Sequence, residues 1–303
     1  MTNYLTINPK EIPTAQLFGY LTGTVAPRPI AFASTVDKEG KVNLSPFSFF
    51  NVFGANPPTM VFSPSRRVRG NTTKDTLDNV LAVPEVVINI VNYSMVQQMS
   101  LSSTEYPKGV NEFVKAGFTE VVSEKVKPPR VGESPAAFEC IVKEVIATGD
   151  GGGAGNLVIC EVVLAHFKPE IFDETGQVDP FKLDAVARMG SNWYCRANGE
   201  MVFEVAKPLM TTGMGIDQLP DVIRNSHILT GNDLGQLGNV ENLPSKESIA
   251  AFAVQNHELQ LLRGKSLKKS EFFLQLHHLA HTYLEQGKVE EAWKILLQPI
   301  HFE

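Results

Sequence analysis

The sequence has few cysteines, no long apolar run and no histidine before residue 166, and each shortage excludes a class of protein. Its three cysteines, Cys140, Cys160 and Cys195, are too few and too widely spaced for a disulfide framework or a zinc site. No apolar segment reaches the roughly 18 residues that would indicate a membrane span. The N-terminal residues have neither the basic nor the apolar region of a secretory signal. We therefore expect a cytoplasmic protein with free thiols and no membrane partner.

The absence of histidine from the first half also limits the chemistry that this half can perform. It excludes Ser-His-Asp and Cys-His nucleophilic sites there, and no His-Glu-x-x-His or paired-cysteine spacing indicates a metal. His277, His278 and His281 could meet a metal on one helix face, although a solvated or core-edge position is the more ordinary role for them. Any reaction would therefore belong to a bound organic cofactor, and we predict no catalytic side chain.

Negative charge predominates overall, but one segment is basic. The net charge of -6 argues against nucleic acid as a partner. Residues 28–76, however, contain seven basic and only three acidic side chains. This segment predicts either a site for a small anion, most simply a phosphate, or a solvated basic face.

Strand patterns dominate residues 1–205. Short β-favouring runs separated by Pro and Gly indicate a barrel or sandwich rather than alternating βαβ units. The runs are Ile30–Asp37, Val42–Phe50, Thr59–Ser63, Val86–Val91, Phe138–Thr148 and Leu157–Phe167, with short helices predicted at Lys74–Leu81 and Met95–Ser100. The glycine-rich segment 149–155 formally fits a dinucleotide fingerprint, but a strand follows it where a helix is required, so we interpret it as a hairpin connection.

Helical periodicity replaces the strand pattern near the C-terminus. We predict a linker or covering loop at 206–244 and a helical extension at 245–303, with helices at Ile249–Leu262, Glu271–Gln286 and Val289–Leu297. The segment LAHTYLEQGKVEEAWKIL is similar to one tetratricopeptide helical pair. A single copy favours packing or dimerisation over peptide binding, because such arrays need neighbours for stability.

The segment from Arg28 to Asn51 is typical of a strand that lines a ligand. Asp37 to Gly40 supplies a hairpin turn, and the chain that follows carries small polar and aromatic side chains where a structural strand would carry Val, Ile, Lys and Glu. Pro46 leaves an ordinary edge strand or a bulge as the alternative.

Several motifs, in a fixed order along the chain, resemble those of a known family. They are TGTVAPRPIAFASTVDKEGKVNLSPFSFFN, PPTMVFSPSR, KDTLDNV, VVINIV, YPKGVNEFVKAGF, PPRVGESPAAFECIV and ARMGSNWY. From about residue 20 to residue 195 the chain resembles the flavin reductase-like, FMN-binding split-barrel family. That family includes reductase components of two-component monooxygenases and flavoredoxins. The resemblance implies a mainly β, Greek-key split β-barrel, to which this chain adds a C-terminal α-helical extension, and a homodimer with FMN at the subunit interface.

The resemblance also implies which residues contact the cofactor. The strand after the Asp37–Gly40 turn is expected to supply polar contacts to the flavin ring, and two phenylalanines are expected to form its apolar wall. The strand before the turn is expected to supply hydroxyls near the ribityl chain or phosphate. Charged side chains and the start of a helix are expected at the phosphate, and one arginine at the end of the barrel. The predicted residues are Ser34, Thr35, Asn43, Ser45, Phe47, Ser48, Phe49, Asn51, Ser63, Arg66, Lys74, Asp75, Thr76 and Arg188.

The activity that the resemblance implies is an NAD(P)H-dependent flavin reductase that transfers hydride to FMN and passes electrons to an acceptor or a partner monooxygenase. The alternative is a flavoredoxin-like FMN electron carrier without turnover of its own, or a flavin-holding module, with the helical tail binding a partner. No nicotinamide fingerprint is visible, and NADH and NADPH are equally compatible with the sequence.

Overall fold

Residues 4–205 and 212–298 are described by the structure, a computed structural model. Two units make up the chain, Met1–Phe203 and Glu204–Glu303. No helix among the described residues is long and apolar enough to cross a bilayer.

The strands lie in the first unit, and all the paired ones are antiparallel. They are β1 Ala31–Val36, β2 Val42–Phe47, β3 Phe50–Ala55, β4 Pro58–Phe62, β5 Glu85–Asn89, β6 Glu120–Val121, β7 Arg130–Val131, β8 Ala136–Ala147, β9 Asn156–Phe167, β10 Val186–Arg188 and β11 Tyr194–Arg196. Seven of them form one sheet in the order β2-β1-β5-β8-β9-β4-β3, and β6-β7 and β10-β11 form two-stranded sheets. The predicted hairpins therefore form, and the glycine-rich segment connects β8 to β9 as expected.

The large sheet curls around an apolar core without closing. Phe47 on β2, at one edge, contacts Phe62 on β4, next to the other edge, with ring centroids 5.5 Å apart. The two edge strands β2 and β3 are also joined by only Ser48 and Phe49. They nevertheless share no ladder, so a seam remains between the edges, which agrees with a split barrel.

Alternation along β1 assigns its side chains to two cores. Ala31 and Ala33 belong to the core that the sheet surrounds, whereas Ile30 and Phe32 belong to a second core outside the sheet. Because successive strand residues point to opposite faces, Thr35 shares the inner face with Ala33, and Ser34 shares the outer face with Phe32.

Helices cover both faces of the sheet and connect its strands. In the first unit they are α1 Thr14–Thr24, α2 Asp75–Ala82, α3 Val96–Leu101, α4 Glu112–Ala116 and α5 Pro180–Leu183, with single 3-10 turns at Tyr93–Met95, Pro169–Ile171 and Gly199–Met201. Leu77 and Val80 of α2 pack into the inner core, so α2 covers one end of the curled sheet.

Helices are the only regular secondary structure among the described residues of the second unit. Its helices are α6 Asp221–Arg224, α7 Gly231–Gly238, α8 Lys246–Gln255, α9 His257–Arg263, α10 Lys269–Glu285 and α11 Val289–Leu296, with a 3-10 turn at Ile216–Gln218. They enclose a separate apolar core in which Trp293 and Leu276 are fully buried.

Three features of this unit differ from the sequence expectations. Ile249–Leu262 is two helices, because the side chain of Asn256 accepts the backbone N–H of Leu259 and caps a new helix. Part of the expected linker, residues 212–244, contains α6 and α7, and Ile223 and Leu237 from it enter the core. Helical residues outnumber strand residues over the described chain, so the expected mainly β class holds only for the first unit.

Candidate functional site

A polar cluster joins β1, β2 and α2 at one end of the inner core. Asn43 Nδ2 donates to Thr76 Oγ1 at 2.9 Å and lies 3.4 Å from Thr35 Oγ1. Asn79 Nδ2 donates to the same Thr35 hydroxyl at 3.1 Å. The structure therefore brings three of the predicted residues together and adds Asn79, which sequence reasoning missed. Asn79 could have been identified from its position in the KDTLDNV motif, one helical turn after Thr76.

The remaining predicted residues of β2 and β3 have different surroundings. Ser45 shares the inner face with Asn43 and is half-buried. Phe47 is only 7% exposed and packs on Phe62 in the inner core, so it does not form the open apolar wall that we expected. Phe49 is 38% exposed, with its ring edge against Phe18 of α1, and remains available as an apolar wall. Asn51 is exposed on β3.

Ser34 departs from its predicted role, because its side chain points to the outer face, opposite to Thr35. The two hydroxyls therefore cannot contact one ligand from the same side of the strand. Ser34 Oγ is buried and has no hydrogen-bond partner among the described residues. Nothing in the structure explains that unsatisfied hydroxyl.

Arg28 organises the outer side of the site, although sequence reasoning counted it only as part of the basic segment. Its guanidinium donates to the carbonyl oxygens of Thr22, Val25 and Met189, and its Nε lies 3.5 Å from Ser48 Oγ. Burial, and to a lesser degree the nearby charge of Arg188, lowers the pKa of Arg28. A guanidinium bound by several carbonyls holds α1, the β2–β3 link and the segment after β10 in one arrangement.

Lys74 lies immediately before α2 and is the strongest candidate for an anion contact. Its side chain is half-buried and makes no hydrogen bond or ion pair with residues 4–205 or 212–298. Burial, and then the charge of Arg67, lowers the pKa of its ammonium group. No side chain caps the first turn of α2, so the amides that begin at Asp75 are also available to an anion.

Arg67 and Arg66 lie on the loop before α2, where both guanidinium groups already have protein partners. Arg67 donates to Glu105 at 2.8 Å and to Thr72 Oγ1 at 3.1 Å. Arg66 donates to the side-chain and backbone oxygens of Asn71, both at 2.6 Å. Arg66, which was predicted to bind phosphate, therefore holds its own loop in the structure.

Ser63 and the glycine-rich segment lie beside this loop. Ser63 Oγ accepts the backbone N–H of Asn156 at 3.0 Å. A Cβ at Gly155 would come 3.0 Å from that hydroxyl, and one at Gly152 would come 2.7 Å from the Val68 carbonyl oxygen. Close backbone approach therefore explains these two glycines, in agreement with a connecting rather than a phosphate-binding segment.

Arg188 lies on β10 beside a cavity of about 320 Å³. Its backbone pairs with that of Arg28, and its guanidinium lies over the Tyr194 ring, 4.6 Å from the centroid. The structure thus connects Arg188 with Ser48 through Arg28, but it shows no contact between Arg188 and the residues around Lys74.

A comparison with known families identifies the same part of the chain. A family model described as "Flavin reductase like domain" matches residues 23–181, more than half of the sequence. This range contains the polar cluster, Lys74 and the seven-stranded sheet, and it excludes the helical unit.

Individual proteins align with about two thirds of the chain. An uncharacterized protein of Aquifex aeolicus is 37% identical and aligns with 65% of this chain and 97% of its own length. The crystal structure of nitrilotriacetate monooxygenase component B from Bacillus cereus is 31% identical, with a TM-score of 0.63, and it aligns over 68% of this chain and 100% of its own length. A flavin reductase with a split barrel domain from Shewanella frigidimarina, at 24% identity and a TM-score of 0.56, covers 65% of this chain and 95% of its own, and supports the fold alone.

Proposed function

Because this chain belongs to the flavin reductase-like family, we propose that it is an NAD(P)H-dependent flavin oxidoreductase that binds FMN. FMN, when bound, supplies the redox chemistry by accepting two electrons from the nicotinamide and releasing them to an acceptor. The chain's own residues bind and orient the cofactor, which agrees with the lack of histidine in this half of the sequence.

The observation that carries the proposal is the unpartnered, half-buried ammonium group of Lys74 at the start of α2. An ammonium group that loses hydration without gaining a partner destabilises the folded protein unless a ligand compensates for it. A phosphate is suited to this position, because Lys74 and the first amides of α2 would both donate to its oxygens. The residues present therefore fit the phosphate group of FMN.

The neighbouring groups fit the remainder of the cofactor. Asn43 is half-buried next to the start of α2, whereas the Thr35 and Thr76 hydroxyls are buried and already accept hydrogen bonds. We propose that Asn43 contacts the ribityl chain and that Thr35 and Thr76 hold its amide in place. Ser45 and the exposed ring of Phe49 lie further along the same strand and its link to β3. We propose that the isoalloxazine lies along this strand, with Phe49 as its apolar contact.

Exposed apolar surface on α1 and β3 supports a homodimer. Leu21 on α1 is 52% exposed, and Val52 and Phe53 on β3 are 58% and 68% exposed. An exposed edge strand with apolar side chains readily associates with another surface. We propose that a second copy of this chain covers it. Sedimentation of the wild-type protein and Phe53→Asp should then show a dimer that the substitution weakens.

Two measurements test the activity. The visible spectrum of the purified protein reports whether a flavin is retained, and NADH or NADPH oxidation with added FMN reports turnover. Tight FMN binding with negligible oxidation of either nucleotide would instead support the electron carrier. The similarity to a monooxygenase component B makes a partner oxygenase the acceptor that we propose first.

A further inference from the structure

The cavity beside Arg188 lies outside the sheet, between the 3-10 turn at Tyr93–Met95 and α3 on one side and the β10–β11 hairpin on the other. Its volume is about 320 Å³. It is lined by Tyr93, Val96, Gln97, Ser100, Val186, Arg188, Asn192, Tyr194, Cys195 and Arg196. None of these residues apart from Arg188 belongs to the proposed flavin contacts.

The two arginines of this cavity differ in how their charge is compensated. Arg196 forms two hydrogen bonds with the carboxylate of Asp184, at 2.7 and 2.8 Å, and stacks on Tyr93. Arg188 has one hydrogen bond, to the Ser191 carbonyl oxygen, and no carboxylate pairs with it among the described residues. Apart from the Tyr194 ring, whose centroid lies 4.6 Å from the guanidinium, no described side chain compensates its charge, and the charge of the buried Arg28 lies nearby.

Several neutral polar groups line the same cavity without partners. The side chains of Gln97, Ser100 and Asn192 make no hydrogen bond with the described part of the chain, and neither do the hydroxyls of Tyr93 and Tyr194. Val96, Val186 and the two tyrosine rings supply apolar surface between them. A concave site that combines apolar walls with a few polar groups is typical of sites for small organic molecules.

We propose that this cavity binds a small organic carboxylate. The guanidinium of Arg188 holds the carboxylate oxygens, because its planar donors match a carboxylate in two-point contact. Gln97 and Asn192 donate to the same oxygens or to other polar groups of the ligand. The apolar walls favour a carbon skeleton over an inorganic anion.

Cys195 provides a local reporter for the test. Cys140 and Cys160 are fully buried, and burial raises the pKa of both thiols, so Cys195 is the cysteine that a thiol reagent reaches in the folded protein. A ligand in the cavity should slow its modification. We would use benzoate as the probe, neutral benzamide as its size-matched analogue, and inorganic phosphate, on the full-length protein with and without FMN.

Benzoate should protect Cys195 and bind in calorimetry at least tenfold more tightly than benzamide. Arg188→Gln should lose at least tenfold in benzoate affinity, and Arg188→Lys should recover part of it. Arg224→Gln, the same change at an exposed arginine of the second unit, should have no effect. Asn192→Ala, in an exposed turn, should also weaken benzoate and provides a test if Arg188→Gln does not fold.

Equal binding of benzoate and benzamide, or unchanged affinity in Arg188→Gln and Asn192→Ala, would overturn the proposal. Protection by phosphate as strong as that by benzoate would also overturn it, since the site would then be one for inorganic anions. FMN binding is measured separately by quenching of flavin fluorescence. A failure of the flavin assignment is therefore distinguishable from a failure of this one.

Discussion

Lys74 is the residue on which the flavin assignment depends most. Replacing it with alanine should weaken FMN by about 1.5–3 kcal/mol, the value of a hydrogen bond to a charged group, and should leave riboflavin almost unaffected because riboflavin has no phosphate. Arg66→Ala should weaken FMN less, because Asn71 already holds that guanidinium. Fluorescence titrations with both flavins measure the difference.

Lys38→Ala, in the exposed turn before β2, is the matched control and should change neither affinity. Equal weakening of FMN and riboflavin by Lys74→Ala would contradict the phosphate assignment.

The pH dependence of FMN affinity also has a definite direction. Since burial lowers the pKa of Lys74 below its ordinary 10.5, FMN affinity should begin to fall at a pH below that value as the ammonium group loses its proton.

Residue types in order along the chain were sufficient to predict that some of these residues lie together. The motif KDTLDNV predicted a helix start with a lysine before it, and Asn43, Thr35 and Thr76 do lie together. Burial and side-chain pairing were not predictable, because they depend on contacts between segments distant in the chain. Phe47 faces a core completed by β4, Ser34 faces away from Thr35, and Arg66 is held by its own loop.

At the scale of elements, α4 protects the free edge of β2 through one carboxylate. Glu112 Oε2 accepts the backbone N–H of Leu44 at 2.9 Å, and burial raises the pKa of this carboxyl group. At a pH above the ordinary pKa of glutamate, Glu112 has lost its proton in the unfolded chain but still retains it in the folded protein. Stability should therefore fall as pH rises from about the ordinary value of 4.3 through the raised pKa.

Two substitutions separate the charge of Glu112 from its hydrogen bond. Glu112→Gln keeps an acceptor for Leu44 and removes the buried charge, so the free energy of unfolding should increase at neutral pH and lose its dependence on pH in that window. Glu112→Ala leaves the Leu44 N–H unsatisfied, which should cost about 1–3 kcal/mol. Urea unfolding between pH 4 and pH 8 measures both, and a pH profile for Glu112→Gln identical to that of wild type would contradict this explanation.

Element boundaries were less predictable than element types. The run from Val42 was expected to be one strand ending at Phe50, whereas the chain leaves one edge of the sheet at Phe47 and joins the other edge at Phe50. Apolar residues continue through both strands, so no change in composition marks the link. Asn256 likewise ends one helix and caps the next within an unbroken helical pattern.

At the scale of the whole molecule, the chain has separate cores whose stabilities should be separable. Trp293 is 1% exposed in the helical unit, and its indole N–H donates to the Leu237 carbonyl oxygen at 3.2 Å. Trp293→Ala should destabilise that unit by about 3–5 kcal/mol and leave FMN affinity within about twofold. Circular dichroism on heating and flavin titration measure the two effects.

Trp193→Ala is the internal control, since this tryptophan is 75% exposed and its removal should change stability little. A loss of FMN affinity in Trp293→Ala that follows the loss of helical structure would show that the two units are energetically coupled.

Truncation after residue 205 tests directly whether FMN binding depends on the first unit alone. All predicted flavin contacts precede this residue, so the shortened protein should bind FMN with nearly unchanged affinity. Affinity is measured on the fraction that sediments as a folded species, so that a change in solubility does not affect the comparison. A loss of more than about tenfold, or 1.4 kcal/mol, in a folded protein would mean that the helical unit belongs to the flavin site.

The seam between β2 and β3 has a consequence for the residence time of a bound flavin. Ser48 and Phe49 connect the two strands, which share no backbone hydrogen bonds with each other. Widening the seam therefore breaks no backbone hydrogen bond between β2 and β3. Dissociation of a ligand held along β2 is then limited by its side-chain contacts, rather than by partial unfolding of the sheet. The dissociation rate of FMN should therefore respond to Lys74 and Phe49 and remain insensitive to urea concentrations well below the unfolding transition.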